Sequence, residues 1–188
     1  MRTSESVLHA LRCVGAAGTD TIAEAVGTSP AEAGSALIDL AVDGLVTFER
    51  GPFGGWRITA PGQAADDRAV ARELDTLGAR DLVTTAYQGF LELNPELLDL
   101  CTAWQLRTAE PDRIVAAFTD LHGRCAVCLG PLAPVLPRFE RHRGGLEHAL
   151  SRARAGETGY LADRLDSYHT RWFRLHEDFL VTLGRPRH

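Results

Sequence analysis

The residues best equipped for chemistry in this 188-residue chain lie near its end, in the run Asp166-Ser167-Tyr168-His169-Thr170-Arg171-Trp172-Phe173-Arg174-Leu175-His176-Glu177-Asp178. On a helix, Tyr168, Trp172, Leu175 and Phe179 share one stripe, while His169, Phe173, His176 and Leu180 share the adjacent one. Together they make an apolar face wider than a solvent-exposed helix carries, so something must cover it. One reading makes this a core helix or a dimer interface, with its histidines hydrogen-bonded inside. The other makes it a ligand pocket lined by Tyr168, His169, Trp172 and His176, with Trp104 and Gln105 from an earlier helix. In that reading His169 or His176 serves as general acid or base, because imidazole titrates near neutral pH.

Nothing else in the sequence completes an active site. There is no nucleophile elbow, phosphate loop or paired metal motif, so no catalytic residue is assigned. His169 and His176 make a poor shared metal site, since seven residues of helix separate them by roughly 10 Å, and any metal would need only one of them. Cys125-Ala126-Val127-Cys128, with His122 three residues earlier, has the spacing of a zinc or redox motif. It lacks a second ligand pair and lies in a helical pattern, which favours two small buried thiols facing a neighbouring helix. No metal and no cofactor are expected. Arg138, Arg141, His142, Arg143, Arg152 and Arg154 form the most basic region outside Arg185 and Arg187. They suit an anionic ligand or a DNA backbone, but the interleaved Glu140 and Glu147 suit an ordinary solvated helix face better.

The elements that must position these residues are helical. From Gln63 onward no strand signal occurs. Helical patterns cover Asp66 to Leu77 and Arg80 to Leu93; Asn94-Pro95 reads as a restart, with Asn94 capping a helix that runs to Arg107. Further helices follow from Pro111 to Leu129 and from Phe139 to Ala155, and Asp166-Ser167 caps the last, Tyr168 to Leu183.

The first third of the chain is different. Val7, Leu8, Leu11 and Val14 mark an amphipathic helix that stops at Gly15 to Gly18, and Ile22, Ala25 and Val26 mark a short one ended by Gly27. Ser29-Pro30-Ala31-Glu32 then opens a third, with Ser29 as N-cap, Pro30 in the first turn and Glu32 completing a capping box. That helix buries Ala33, Leu37 and Leu40, and Gly44 closes it with the positive φ common at a helix exit. Leu45 to Glu49, the turn Gly51-Pro52-Phe53-Gly54-Gly55 and Trp56 to Thr59 form a β-hairpin.

Helix, short helix, tight turn, helix and hairpin is the order of a winged helix-turn-helix, and it resembles the module of MarR-like bacterial regulators. The tail, with Leu93-Asn94-Pro95 and Cys101-Thr102-Ala103-Trp104-Gln105-Leu106-Arg107, is similar to actinobacterial proteins of that MarR-like, winged-helix kind. The resemblance implies a mostly α fold with a small β-hairpin wing. A winged helix-turn-helix module at 1–62 is expected, followed by an all-α helical dimerisation and ligand-binding domain at 63–188. It implies double-stranded DNA as a partner, a homodimer, and a small apolar or aromatic ligand that biases the arrangement of two DNA modules. The alternative is a small-molecule-binding protein or enzyme on a winged-helix scaffold that does not bind DNA.

The DNA-contacting candidates are Ser29, Glu32 and Ser35 on the third helix and Arg50 and Arg57 flanking the hairpin turn. Charge argues against them. Residues 1–62 hold Arg2, Arg12, Arg50 and Arg57 against Glu5, Asp20, Glu24, Glu32, Asp39, Asp43 and Glu49, a net charge of −3. The outward face of the third helix is Glu32, Ser35, Asp39 and Asp43, whereas strong DNA binders neutralise on the order of six to ten phosphates. A scaffold or protein-contact module is therefore the competing reading of the same fold.

The whole chain has a formal net charge of −5, and every one of its 20 basic residues is arginine, a compositional bias given no functional weight. Its apolar runs are too short to cross a bilayer, and Met1 to Val14 lacks the continuous apolar core of a signal peptide. Four irregularly spaced cysteines then read as reduced thiols, and a soluble cytoplasmic protein with no membrane partner is expected.

Overall fold

The computed structural model describes residues 2–51 and 54–186, so Pro52 and Phe53 of the hairpin turn, and Arg187, lie outside the described residues. The chain is mostly helical with one small antiparallel sheet. It divides into two compact units: residues 1–78 with 180–188, and residues 79–179.

The first unit holds α1 (Thr3–Val14), α2 (Thr19–Val26), α3 (Pro30–Val42), β1 (Val46–Glu49), β2 (Gly55–Ile58) and α4 (Ala60–Leu77). Its core joins Val7, Leu8 and Leu11 of α1 to Ile22 of α2, Ala36, Leu37 and Leu40 of α3, and Val46 of β1. The capping box at the start of α3 forms as its sequence dictates: Glu32 N–H donates to Ser29 Oγ at 3.2 Å, and Ser29 N–H donates to Glu32 Oε2 at 3.1 Å. Gly44 leaves α3 at φ +71°.

The hairpin pairs Val46 with Ile58 and Phe48 with Trp56. A further pairing ties it to the connection between α1 and α2. Ala17 and Trp56 exchange both backbone hydrogen bonds, at 3.2 and 2.9 Å, as an antiparallel bridge. Gly55 makes that approach feasible, because a Cβ there would stand 2.8 Å from the Ala17 carbonyl oxygen. Trp56 also donates its indole N–H to Thr19 Oγ1 at 3.2 Å, and its ring meets Phe48 edge-on.

Thr59 ends the hairpin and starts α4. Its hydroxyl accepts from Gly62 N–H at 3.1 Å and donates to the Gly44 carbonyl at 2.8 Å. Helix α4 thus begins six residues before the pattern at Asp66, and Val70 and Leu74 are buried. Its buried Asp66 carboxylate faces His9 Nδ1 of α1 at 3.2 Å, and Arg12 reaches both Asp66 and Asp67.

The second unit holds α5 (Arg80–Gln105), α6 (Pro111–Leu129), α7 (Pro137–Arg154) and α8 (Tyr168–Leu183) as far as Phe179, with short 3-10 turns at Gly130–Leu132 and Thr158–Tyr160. The restart expected at Asn94-Pro95 does not occur; α5 runs straight through, with Pro95 inside it. Inside the continuous helix Asn94 caps nothing, and its side-chain oxygen instead accepts from the Trp172 indole N–H at 3.0 Å. Pro95 lacks an N–H, so the Leu91 carbonyl loses its helical donor. Ser167 does cap α8, its hydroxyl accepting from Thr170 N–H at 3.3 Å.

Helix α8 is covered by rings from three others: Phe90 of α5 stacks on Trp172 with centroids 4.4 Å apart, Phe118 of α6 meets Tyr168 edge-on, and Phe139 of α7 packs on Phe179. Among the described residues no helix is long and apolar enough to cross a membrane.

Two glycines should respond to alanine with opposite sign. A Cβ at Gly62 would stand 2.0 Å from the Leu45 carbonyl oxygen, so Gly62→Ala should lower stability by roughly 1–3 kcal/mol. Gly34, inside α3, offers only an ordinary 3.7 Å contact, and Gly34→Ala should raise stability by about 0.5–1 kcal/mol. Urea midpoints of the two variants check both signs.

Candidate functional site

The face expected to meet DNA is built from α3 and the hairpin. Ser29 and Glu32 are exposed, but each is engaged locally: the Thr28 and Ser29 hydroxyls both donate to Glu32 Oε2, at 2.6 and 2.8 Å. These bonds stabilise the carboxylate and pull its pKa down to about 2, so Glu32 is anionic across the physiological range. Ser35 is exposed one turn further along. Between the acidic residues, the helix also presents Ile38, 59% exposed, and Val42, 82% exposed, an apolar element that the acidic count overlooked.

On the hairpin, Arg57 donates from Nε to Glu49 Oε2 at 2.6 Å, so its charge is matched by a strand neighbour. Arg50 is exposed just beyond β1. Of the five DNA candidates, two are thus tied into a cap and a third into an ion pair.

The proposed pocket residues are distributed among several environments. Tyr168 and Trp172 are fully buried in the ring cluster of α8, where aromatic neighbours fill the space beside them. His176 is half-buried, its Nε2 3.3 Å from the Tyr87 hydroxyl and its ring against Phe90. His169 is half-buried at the start of α8, with its backbone N–H donating to the Leu161 carbonyl. Trp104 is buried and donates to Asp163 Oδ2 at 3.0 Å, with the Arg107 guanidinium 3.9 Å over its ring. Gln105, the next residue, is exposed.

The best-organised polar chain in this unit centres on a residue that the sequence placed only beside the cysteines. His122 is buried; its Nδ1 lies 3.3 Å from the Tyr168 hydroxyl and its Nε2 lies 2.8 Å from Glu147 Oε2. Glu147 is half exposed, and its other oxygen lies 3.3 Å from Arg154, which donates to Thr119 as well.

A carboxylate only accepts, so Nε2 carries a proton toward Glu147, and a neutral ring then accepts the Tyr168 proton on Nδ1. Burial favours this neutral form. It pulls the His122 pKa down against the opposing pull of Glu147, and it pushes that of Tyr168 well up. The chain therefore connects a buried hydroxyl to a carboxylate in water through one imidazole. Residues 122, 147 and 168 have no common period in the sequence. The available signal was a histidine on the apolar side of α6, in phase with Cys125 and Phe118.

Of the two cysteines of α6, Cys125 is the buried thiol expected and Cys128 is only partly buried. Cys125 is buried and its pKa is pushed up to about 12, while Cys128 lies against α5, where only a glycine, Gly89, leaves room for its sulfur. The basic region of α7 is largely matched. Arg138 and His142 hold the buried Asp178 carboxylate at 3.1 and 2.9 Å, Arg143 pairs with Glu140, and Arg152 donates to Glu157 at 2.7 Å.

The lowered His122 pKa has a pH consequence. The unfolded chain binds the His122 proton more readily than the folded one, so this contribution to stability is complete above about pH 6.5 and is lost as pH falls toward the folded value. Urea unfolding at pH 8 and pH 5.5 should show a larger acid loss for the native chain than for His122→Gln. Equal losses would contradict the assignment. No protein-family model, curated protein or solved structure matches the chain.

Proposed function

We propose that the protein is a ligand-responsive transcriptional regulator of the winged-helix kind, acting in the cytoplasm as a homodimer on double-stranded DNA. The observation that carries this reading is the Ala17–Trp56 bridge. It turns the α1–α2 connection into a third short strand position beside the hairpin, so that α2, the turn and α3 stand in helix-turn-helix order against a small sheet. In that order α3 is the recognition helix, with Ser29, Glu32 and Ser35 along it and Arg50 and Arg57 on the wing.

Binding then needs Arg57 to exchange Glu49 for a phosphate, and it draws most of its electrostatic attraction from two arginines per subunit. The second unit supplies dimerisation and ligand sensing, the ligand being small and apolar or aromatic. Leu91 and Leu98, seven residues apart on α5 and both exposed, suit a second copy. His169 and His176 flank the Trp172 face that a ligand would perturb. One observation favours the alternative, a small-molecule-binding protein or enzyme on this scaffold: the Tyr168–His122–Glu147 chain is arranged to carry a proton.

Fluorescence anisotropy with mixed-sequence duplex DNA tests the first reading. About four phosphate contacts per dimer predict an affinity that falls on the order of a hundredfold between 50 and 200 mM salt. Arg50→Ala combined with Arg57→Ala should abolish binding. An absence of binding even at 50 mM salt would sink the regulator and leave the small-molecule reading.

A further inference from the structure

The outward side of α3 carries an apolar line edged by acid. At helical period Ala31, Ser35, Ile38 and Val42 fall on one line, four, three and four residues apart, and all are exposed. Ile38 is 59% exposed and Val42 82%. Glu32, Asp39 and Asp43 edge one side of the line, and the half-buried Gly34 and Ala41 edge the other. Ala33, Ala36, Leu37 and Leu40 are buried on the opposite side of the helix.

The negative charge of this edge is uncompensated. Between Arg12 and Arg50 the chain holds Asp20, Glu24, Glu32, Asp39, Asp43 and Glu49, with no arginine, lysine or histidine. Elsewhere in the unit Glu5, Glu49, Asp66 and Asp67 each meet an arginine. Among the described residues no ion pair reaches Asp39 or Asp43. Glu32 is held by the Thr28 and Ser29 donors alone, which leave it anionic.

A four-three-four line on a helix is the seam along which a second helix packs, and charges beside the seam choose the partner. Ala31 and Ser35 let a facing backbone approach closely, while Ile38 and Val42 supply the apolar contact. Charge then selects among occupants. A second copy of α3 brings no basic side chain, and laid antiparallel it sets acidic edge against acidic edge. Duplex DNA is repelled by the same carboxylates and is drawn instead by Arg50 and Arg57 on the wing. A helix with basic flanks satisfies both the seam and its edge.

We propose that the outer face of α3 docks an amphipathic helix of a partner protein, one whose apolar seam is flanked by lysine or arginine. The surface goes beyond the DNA reading and does not rest on it; where both hold, the helix and the duplex compete for α3. Two large apolar side chains and three carboxylates make a small interface, so the contact is transient, with a Kd on the order of 10–100 µM at low salt.

The probe is a fluorescein-labelled synthetic helix three heptads long, with Leu at the two seam positions of each heptad and Lys at the two flanking ones. Its like charges keep it from pairing with itself. A control helix carries Glu at the flanking positions. Titrated with the full chain and read by anisotropy, the Lys helix should bind saturably at 50 mM salt and the Glu helix should not. Ile38→Ser combined with Val42→Ser should weaken binding by roughly tenfold or more. Asp39→Asn combined with Asp43→Asn should weaken it several-fold and flatten its salt dependence. Arg50→Ala combined with Arg57→Ala should leave it intact, so failure of DNA binding and failure of docking are separate results. No saturation, equal binding of the Glu helix, or undiminished binding by the Ile38/Val42 variant would overturn the proposal. A dimer seen in sedimentation and lost in that variant would assign the face to a second copy and overturn it too.

Discussion

A polar atom withdrawn from water must find a partner inside the protein or cost on the order of 1–3 kcal/mol, and the arrangement of these helices follows from that constraint. Among the described residues every buried side-chain nitrogen and oxygen is partnered. Asp66 reaches His9 and Arg12, which ties α4 to α1. Asp178 reaches Arg138 and His142, which ties α8 to α7. The Trp172 indole reaches Asn94 on α5, and the Tyr168 hydroxyl reaches His122 on α6. Apolar burial supplies most of the driving force, but it is nearly indifferent to rotation of a helix by a fraction of a turn. These directional bonds fix the rotation.

Shape and charge pull in different directions in the first unit. The proposed DNA-binding role rests on the order of its elements and the bridge at Ala17, while its surface is acidic with an apolar insertion at Ile38 and Val42. The ion pair between Arg57 and Glu49 is exposed and therefore weak, of order 1 kcal/mol or less, so a phosphate can compete for the guanidinium. Glu32 is different. Its carboxylate is held by three donors and is committed to the helix start, so its contribution to a base contact would be steric and repulsive rather than selective.

Local features were the legible ones. Ser29-Pro30-Ala31-Glu32 encodes its cap within four residues, and the stripes of α1, α3 and α8 follow from helical period alone. Asn94-Pro95 misled for an equally local reason: the dipeptide is a good helix start in isolation, and only the distant Trp172 indole makes Asn94 more useful inside a continuous helix. His122, Glu147 and Arg57 were illegible as a matter of physics, because what each does is set by a partner brought in by tertiary folding. The wide apolar face of α8 announced that something covers it. That the cover is Phe90, Phe118 and Phe139 could not be read from the face itself.

Pro95 leaves α5 with a missing rung across the middle of a 26-residue helix, from the Leu91 carbonyl to position 95, and the bond from Trp172 to Asn94 falls at that same place. The weakest turn of the longest helix is thus clasped from outside by the largest fully buried side chain of the second unit. Loosening of that turn must release the indole N–H, which makes Trp172 emission an internal gauge of whether α5 is whole.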